Sequence, residues 1–159
     1  MGTALVIGVG ASQGVGGAVC RRLAREGLHV VVAGRTEEKL AAIVREIEGA
    51  GGHASGVVAD ATTSEGVGAA FDAAERAGGV PELVVYNVGN NRAASLVEMS
   101  DAFFEDLWRV GCFGGFLAGR EAAKRMLPSG GGSLIFTGAT ASLRARPPYT
   151  AFASAKAAL

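Results

Sequence analysis

Ala4-Leu5-Val6-Ile7-Gly8-Val9-Gly10-Ala11-Ser12-Gln13-Gly14-Val15-Gly16-Gly17 is the stretch that decides the fold. Its first four residues form an apolar run of the kind a buried strand carries. Val15, Val19 and Leu23 follow at helical spacing. The order is therefore strand, glycine turn, helix. A turn of this kind lets the backbone approach a phosphate group closely, and it aims the free N–H groups and positive dipole end of the next helix at that group. Tight turning and close helix packing are the alternative uses of the same glycines.

The spacing is not G-x-G-x-x-G, which read from Gly8 and Gly10 needs glycine where Gln13 stands. It is G-x-x-x-G-x-G, at Gly10, Gly14 and Gly16. In this the chain resembles the short-chain dehydrogenase/reductase family, which opens on such a loop after its first strand and binds a nicotinamide dinucleotide there. The resemblance implies cofactor contacts along Gly10, Ser12, Gln13, Gly14 and Gly16.

Composition agrees with one compact domain. At 159 residues the chain can bury a substantial core but is short for two domains, so residues 1–159 are read as a single unit. Hydrophobic content of 49%, 25 glycines and zero formal net charge describe a soluble α/β protein, with no electrostatic footprint for nucleic acid or an anionic membrane. Only Cys20 and Cys112 are present, without C-x-x-C or His-rich spacing, which argues against a disulfide framework and a metal site. A cytoplasmic setting fits this cysteine usage. The apolar start lacks a basic leader and runs straight into the glycine turn, so it reads as a strand and not a signal peptide.

Further along, strands and helices alternate. Leu28 to Ala33 reads as a second strand, followed by a charged helix from Glu37 to about Glu48; His53 to Ala59 reads as a third strand, and Ser64 to Ala77 as its helix. Leu83 to Tyr86 is a fourth buried strand. Ser100 caps a long helix whose apolar residues run from Phe103 to Leu127, Pro128 and Gly130-Gly131-Gly132 stop it, and Ser133 to Thr137 is a fifth strand. This alternation predicts an α/β, doubly wound, parallel Rossmann-type sheet in three layers, strand order 3-2-1-4-5, with ligand at the strand C-termini.

At the end of a second strand in such a fold, an acid accepts from the 2′-OH of NAD, whereas an arginine accommodates the 2′-phosphate of NADP. Gly34 and Arg35 replace any acid here. A guanidinium grips phosphate bidentately, so NADP(H) is preferred and NAD(H) is the alternative. Arg35 as a solvated charge at a helix start is the bland reading. The family resemblance further implies that Asp60 and Ala61 meet the adenine, although Asp60 also suits a turn or cap. In Asn87-Val88-Gly89-Asn90-Asn91 it matches Asn87 and Gly89 to the family's Asn-Asn-Ala-Gly, which supports the central strand near the cofactor ribose; Tyr86 and Val88 depart from it.

The family carries a Tyr and, four residues later, a Lys that lowers the Tyr pKa and holds the nicotinamide ribose. A Ser about 13 residues before the Tyr and an Asn in the long helix complete the set. Lys156 matches the lysine, but the other three positions hold Phe152, Ala139 and Gly111. Phe offers no exchangeable proton and Ala no hydroxyl. Loss of general acid/base help costs about 10²- to 10⁴-fold. Tyr149, seven residues before Lys156, shares a helical face with it and is a candidate proton donor, at a spacing similar to that of divergent enoyl-thioester reductases in the superfamily. Pro147-Pro148 places Tyr149 at the start of the helix, where a packing aromatic is the alternative. Thr137, Thr140 and Ser142 are the nearby hydroxyls.

Family members continue past the Lys helix with two further strands and a substrate loop, whereas this sequence stops at Leu159. It is read either as a fragment or as a chain that covers its sheet edge by homo-oligomerisation. The resemblance implies an NADP(H)-linked oxidoreductase acting on a small carbonyl, alcohol or enoyl substrate. The alternative is a nucleotide-binding sensor or partner subunit without turnover.

Overall fold

The computed structural model describes residues 1–89 and 91–159; Asn90, in the Asn-rich turn, lies outside the described residues. In chain order the elements are β1 (Thr3–Ile7), α1 (Val15–Arg25), β2 (His29–Gly34), α2 (Glu37–Gly49), β3 (His53–Val58), α3 (Ser64–Gly78) and β4 (Leu83–Tyr86). They continue with α4 (Asp101–Trp108), a π-helical turn (Arg109–Phe113), α5 (Gly114–Met126), β5 (Ser133–Phe136) and α6 (Thr150–Ala158).

The apolar runs form one parallel sheet in the order β3-β2-β1-β4-β5, as the alternation predicts. Leu5 stands opposite Val31 on one side and Val84 on the other. Because side chains alternate along a strand, β1 feeds two cores. Leu5 and Ile7 join Val31, Val84, Phe71 of α3 and Leu117 of α5 on one face. Val6 joins Val30, Val32, Val85, Cys20 of α1 and Leu40 and Ile43 of α2 on the other. Strands buried on both faces need continuous hydrophobic sequence, and β1 has it, with every residue buried. The connections run outward from β1 to β2 and β3, then back to β4 and β5. The C-terminal ends of β1 and β4 thus form the switch point at which open α/β sheets bind ligand.

One expectation needs correction. The segment from Phe103 to Leu127 is not a single regular helix. A π-helical turn divides it, in which the Gly114 N–H donates to the Arg109 carbonyl five residues back. The cause is a long-range contact. Tyr86, fully buried in β4, donates its hydroxyl to the Val110 carbonyl at 2.8 Å. A Cβ at position 114 would stand 2.3 Å from that hydroxyl and 2.6 Å from the Ala61 carbonyl, so Gly114 is what admits the tyrosine. Strand limits differ from the sequence expectation by a single residue at the start of β1 and at the ends of β2, β3 and β5.

Candidate functional site

The glycine loop lies at the switch point. Gly8 and Val9 both donate to the Ala33 carbonyl at 3.0 Å, which carries the chain across the end of β2. Gly8 has φ +92° and its Cβ would meet the Val88 nitrogen at 2.6 Å, so glycine is required there by backbone conformation and packing together. A Cβ on Gly16 would lie 3.1 Å from Asn87 Nδ2. Gly10 differs, because nothing lies within 4 Å of where its Cβ would be. No described residue fills that space.

Beyond the loop, α1 starts at Gly14 with no side-chain cap and no acidic residue in its first turn. By contrast, α2 opens with Glu37 and Glu38, α3 is capped by Thr63, and α4 is capped by Ser100 and opens with Asp101. The positive end of α1 is thus left for an anion, and an open backbone cradle beside it fits the pyrophosphate of a dinucleotide. Gln13 is exposed at the same turn. Ser12 is less free: its hydroxyl lies 2.7 Å from Glu46 Oε2 and accepts from Arg21 at 2.9 Å.

A cleft opens beside the loop, lined by Gly8 to Gly10, Gly34, Arg35, Ala59 to Thr62, Val88, Gly89 and Val110. It brings together Gly10, Arg35, Asp60, Ala61 and Gly89 of the sequence expectation. Gly34 is fixed by packing, since a Cβ there would stand 2.3 Å from the Val9 carbonyl. Arg35 is exposed at the rim. Asp60 Oδ1 accepts from the Thr62 N–H at 2.9 Å and the Thr62 hydroxyl at 2.8 Å. These two hydrogen bonds hold its carboxyl below the usual carboxylate value against the effect of burial, and the Arg35 guanidinium adds to them. Asp60 is therefore an Asx-turn residue whose second oxygen has no hydrogen-bond partner among the described residues. Thr62 was not singled out in sequence, although the D-x-T spacing is its signal.

Asn87 ties three strands together. Its amide donates to the Gly8 carbonyl at 3.2 Å, its Oδ1 accepts from the Thr137 hydroxyl at 3.0 Å, and its backbone N–H donates to Ile7. Next to it, Lys156 of α6 is buried, 7% exposed, and donates from Nζ to the Val88 carbonyl at 3.0 Å and the Thr137 carbonyl at 2.7 Å. Burial pushes its ammonium below the ordinary lysine value. Gly89 packs beside this ammonium, with its position for a Cβ in ordinary contact with Nζ at 3.5 Å. One of the three ammonium hydrogens has no acceptor among the described residues.

Tyr149 is placed differently from Lys156. It stands as the residue before α6, 37% exposed, and its hydroxyl is not among the partners of Lys156 Nζ. Of the nearby hydroxyls, Thr137 is bonded to Asn87 and Ser142 donates to the Ala139 carbonyl at 2.6 Å. The Thr140 hydroxyl has no partner among the described residues. Gly111, at the position of the family's helix Asn, is buried against α6, and a Cβ there would stand 2.7 Å from Ala155 Cβ. No three His, Cys, Asp or Glu side chains among the described residues are grouped to hold a metal. No helix among them is long and apolar enough to cross a membrane.

Comparison with known proteins agrees with this geometry. The short chain dehydrogenase family model matches residues 3–159. A short-chain type dehydrogenase/reductase from Picea abies is 32% identical across all of this chain and 62% of its own length. The crystal structure of a short-chain dehydrogenase from Rhodopseudomonas palustris superposes with a TM-score of 0.90 at 40% identity, over 99% of this chain and 73% of that one. F189W actinorhodin polyketide ketoreductase with NADPH superposes at 0.92 with 25% identity, over 99% of this chain and 60% of its own. The chain thus spans about three fifths of the length of the curated relative. The glycine spacing, the strand order, the buried lysine and these matches agree, and the chain belongs to the short-chain dehydrogenase/reductase family.

Proposed function

We propose that this chain forms the dinucleotide-binding part of an NADP(H)-linked oxidoreductase acting on a small carbonyl, alcohol or activated enoyl compound. The observation that carries the reading is Lys156: a buried ammonium beside Gly89, anchored on two carbonyls just beyond β4 and β5, with one hydrogen that has no acceptor among the described residues. The glycine loop and the uncapped start of α1 would hold the pyrophosphate, Arg35 the 2′-phosphate, Asp60 and Ala61 the adenine side, and Asn87 and Gly89 the ribose region. Lys156 would hold the nicotinamide ribose. A bound nicotinamide supplies or accepts the hydride. The chain must then move a proton at the substrate oxygen, and Tyr149 is the candidate donor, with Thr140 the hydroxyl left to orient the substrate.

Titration with NADPH and NADH, following nicotinamide and Trp108 fluorescence, tests the binding half. NADPH is expected to bind more tightly, and Arg35→Ala to weaken NADPH about tenfold while leaving NADH unchanged. An unchanged ratio removes Arg35 from cofactor choice. A nucleotide-binding subunit without turnover is the second reading, favoured by the Tyr149 hydroxyl not being among the hydrogen-bond partners of Lys156 Nζ. Tyr149→Phe decides between them in any preparation that turns over: undiminished rate removes Tyr149 as the acid.

A further inference from the structure

The glycine loop is gripped by side chains that are not among those lining the cleft. Arg21 on α1 donates through Nη2 to the Ser12 carbonyl at 3.0 Å and through Nη1 to Ser12 Oγ at 2.9 Å. Nη1 also meets Glu46 Oε2 of α2 at 3.0 Å. The Ser12 hydroxyl gives its hydrogen to the Glu46 carboxylate, with Oε1 at 2.8 Å and Oε2 at 2.7 Å. Gly17, one turn before Arg21, lies under the same peptide, where a Cβ would stand 2.3 Å from the Ser12 carbonyl oxygen. Loop, α1 and α2 therefore meet on one residue.

We infer that Gly17, Arg21 and Glu46 are positioning residues for dinucleotide binding, which fix the Ser12 peptide and so aim the N–H group of Gln13, beside the Gly14 N–H that is itself tied to the Ala11 carbonyl at 2.9 Å. The inference rests on the dinucleotide reading proposed above. A loop with glycine at positions 8, 10, 14, 16 and 17 has much backbone freedom to lose when a ligand orders it. Holding one peptide near its middle in advance removes part of that loss, which is how preorganisation raises affinity. Arginine suits the task because its planar fork spans the carbonyl and hydroxyl of one residue, whereas a lysine ammonium is a single point. Glu46 aims the fork, neutralises its charge and turns the Ser12 hydroxyl hydrogen away from the ligand. Arg21 is thus no phosphate ligand, and both cofactors depend on it alike.

The test compares the chain with Arg21→Met, Arg21→Lys, Glu46→Gln and the swap Arg21→Glu/Glu46→Arg. Dissociation constants for NADPH and NADH, thermal midpoints, and amide exchange at residues 12–14 without cofactor are measured. Arg21→Met and Glu46→Gln are expected to weaken both cofactors about tenfold and to speed exchange at 12–14, with Arg21→Lys giving no rescue. The swap restores the pair between α1 and α2 but turns a carboxylate toward the Ser12 carbonyl. It is expected to recover the midpoint without recovering affinity. Affinity that returns with the midpoint, a loss confined to NADPH, or unchanged exchange each overturns the proposal. Glu46→Gln, isosteric and at an exposed side chain, carries the test should Arg21→Met not fold. If the unaltered chain binds neither cofactor, the dinucleotide reading falls and this inference with it; if it binds both and the variants match it, this inference alone falls.

Discussion

Lys156 is a cation held by carbonyl oxygens inside the protein, and its energetics follow from that. Burial holds its ammonium below the ordinary lysine value of 10.5. Unfolded, the same lysine keeps its proton to higher pH. Between the folded and unfolded values the unfolded chain therefore binds more protons, and stability rises with pH in that window. Below the folded value the burial cost is present in full; it is relieved as pH climbs toward 10.5. The two carbonyls keep their donors throughout, because a neutral amine still carries two N–H groups. Urea unfolding at pH 7, 8, 9 and 10 should show wild type gaining stability relative to Lys156→Met as pH rises. A constant difference would mean that Lys156 titrates normally. At this scale the sequence was legible in part. Lys156 and Arg35 stood where the family pattern puts functional side chains. Gly34 illustrates what was hidden: the missing acid there counted toward NADP(H), yet the Val9 carbonyl at 2.3 Å from a would-be Cβ demands glycine whatever the cofactor. Only the geometry separates a residue chosen for packing from one chosen for a ligand.

At the scale of elements, the helix from 101 to 126 is instructive. Gly111 stands where the family carries an Asn, so restoring that side chain is the natural repair. The structure predicts that it fails on packing. A Cβ at 111 would stand 2.7 Å from Ala155 Cβ, which pushes α6 away from the π-helical turn. Gly111→Asn should destabilise by about 1–3 kcal/mol. Ala155→Gly in the same chain should return part of this, less the helix cost of about 1 kcal/mol that glycine brings. Thermal unfolding of the single and double variants measures both. A single variant as stable as the parent would show that α6 has room to shift. The same region marks the limit of local reading. Strands 1, 2 and 4 were legible because burial on both faces forces unbroken apolar runs, and helices 1 to 3 because helical periodicity is local. The π-helical turn is set by Tyr86, whose hydroxyl reaches Val110 across 24 positions of sequence. No window of sequence around Gly114 contains that contact. The Arg21 and Glu46 grip on Ser12 was missed for the same reason, although the extra Gly17 after Gly16 was its one local trace.

Across the whole molecule, the sheet order leaves β5 paired with β4 on one side only. Ile135 is 50% exposed and Phe136 38% exposed, whereas every residue of β1 is buried. A strand edge with free N–H and C=O groups and apolar side chains is a template for pairing. The 159-residue polypeptide is therefore expected to self-associate through β5. Ile135→Lys, which places a charge on that edge without touching the ladder to β4, should shift it toward monomer. Sedimentation velocity over a range of concentrations reads this directly. A rival surface exists on the neighbouring helices, where Trp108, Phe113 and Phe116 stack in series along α4, the π-helical turn and α5, with Phe116 55% exposed. Association that survives Ile135→Lys but falls with Phe116→Ser places the contact on those helices. The distinction bears on function, because β5 leads directly into Thr137 and Thr140. A partner strand on that edge would lie beside the Thr137 carbonyl that anchors Lys156, whereas a helix-to-helix contact would leave the cleft untouched. Cofactor affinity that depends on protein concentration is thus expected only if the contact is made through β5.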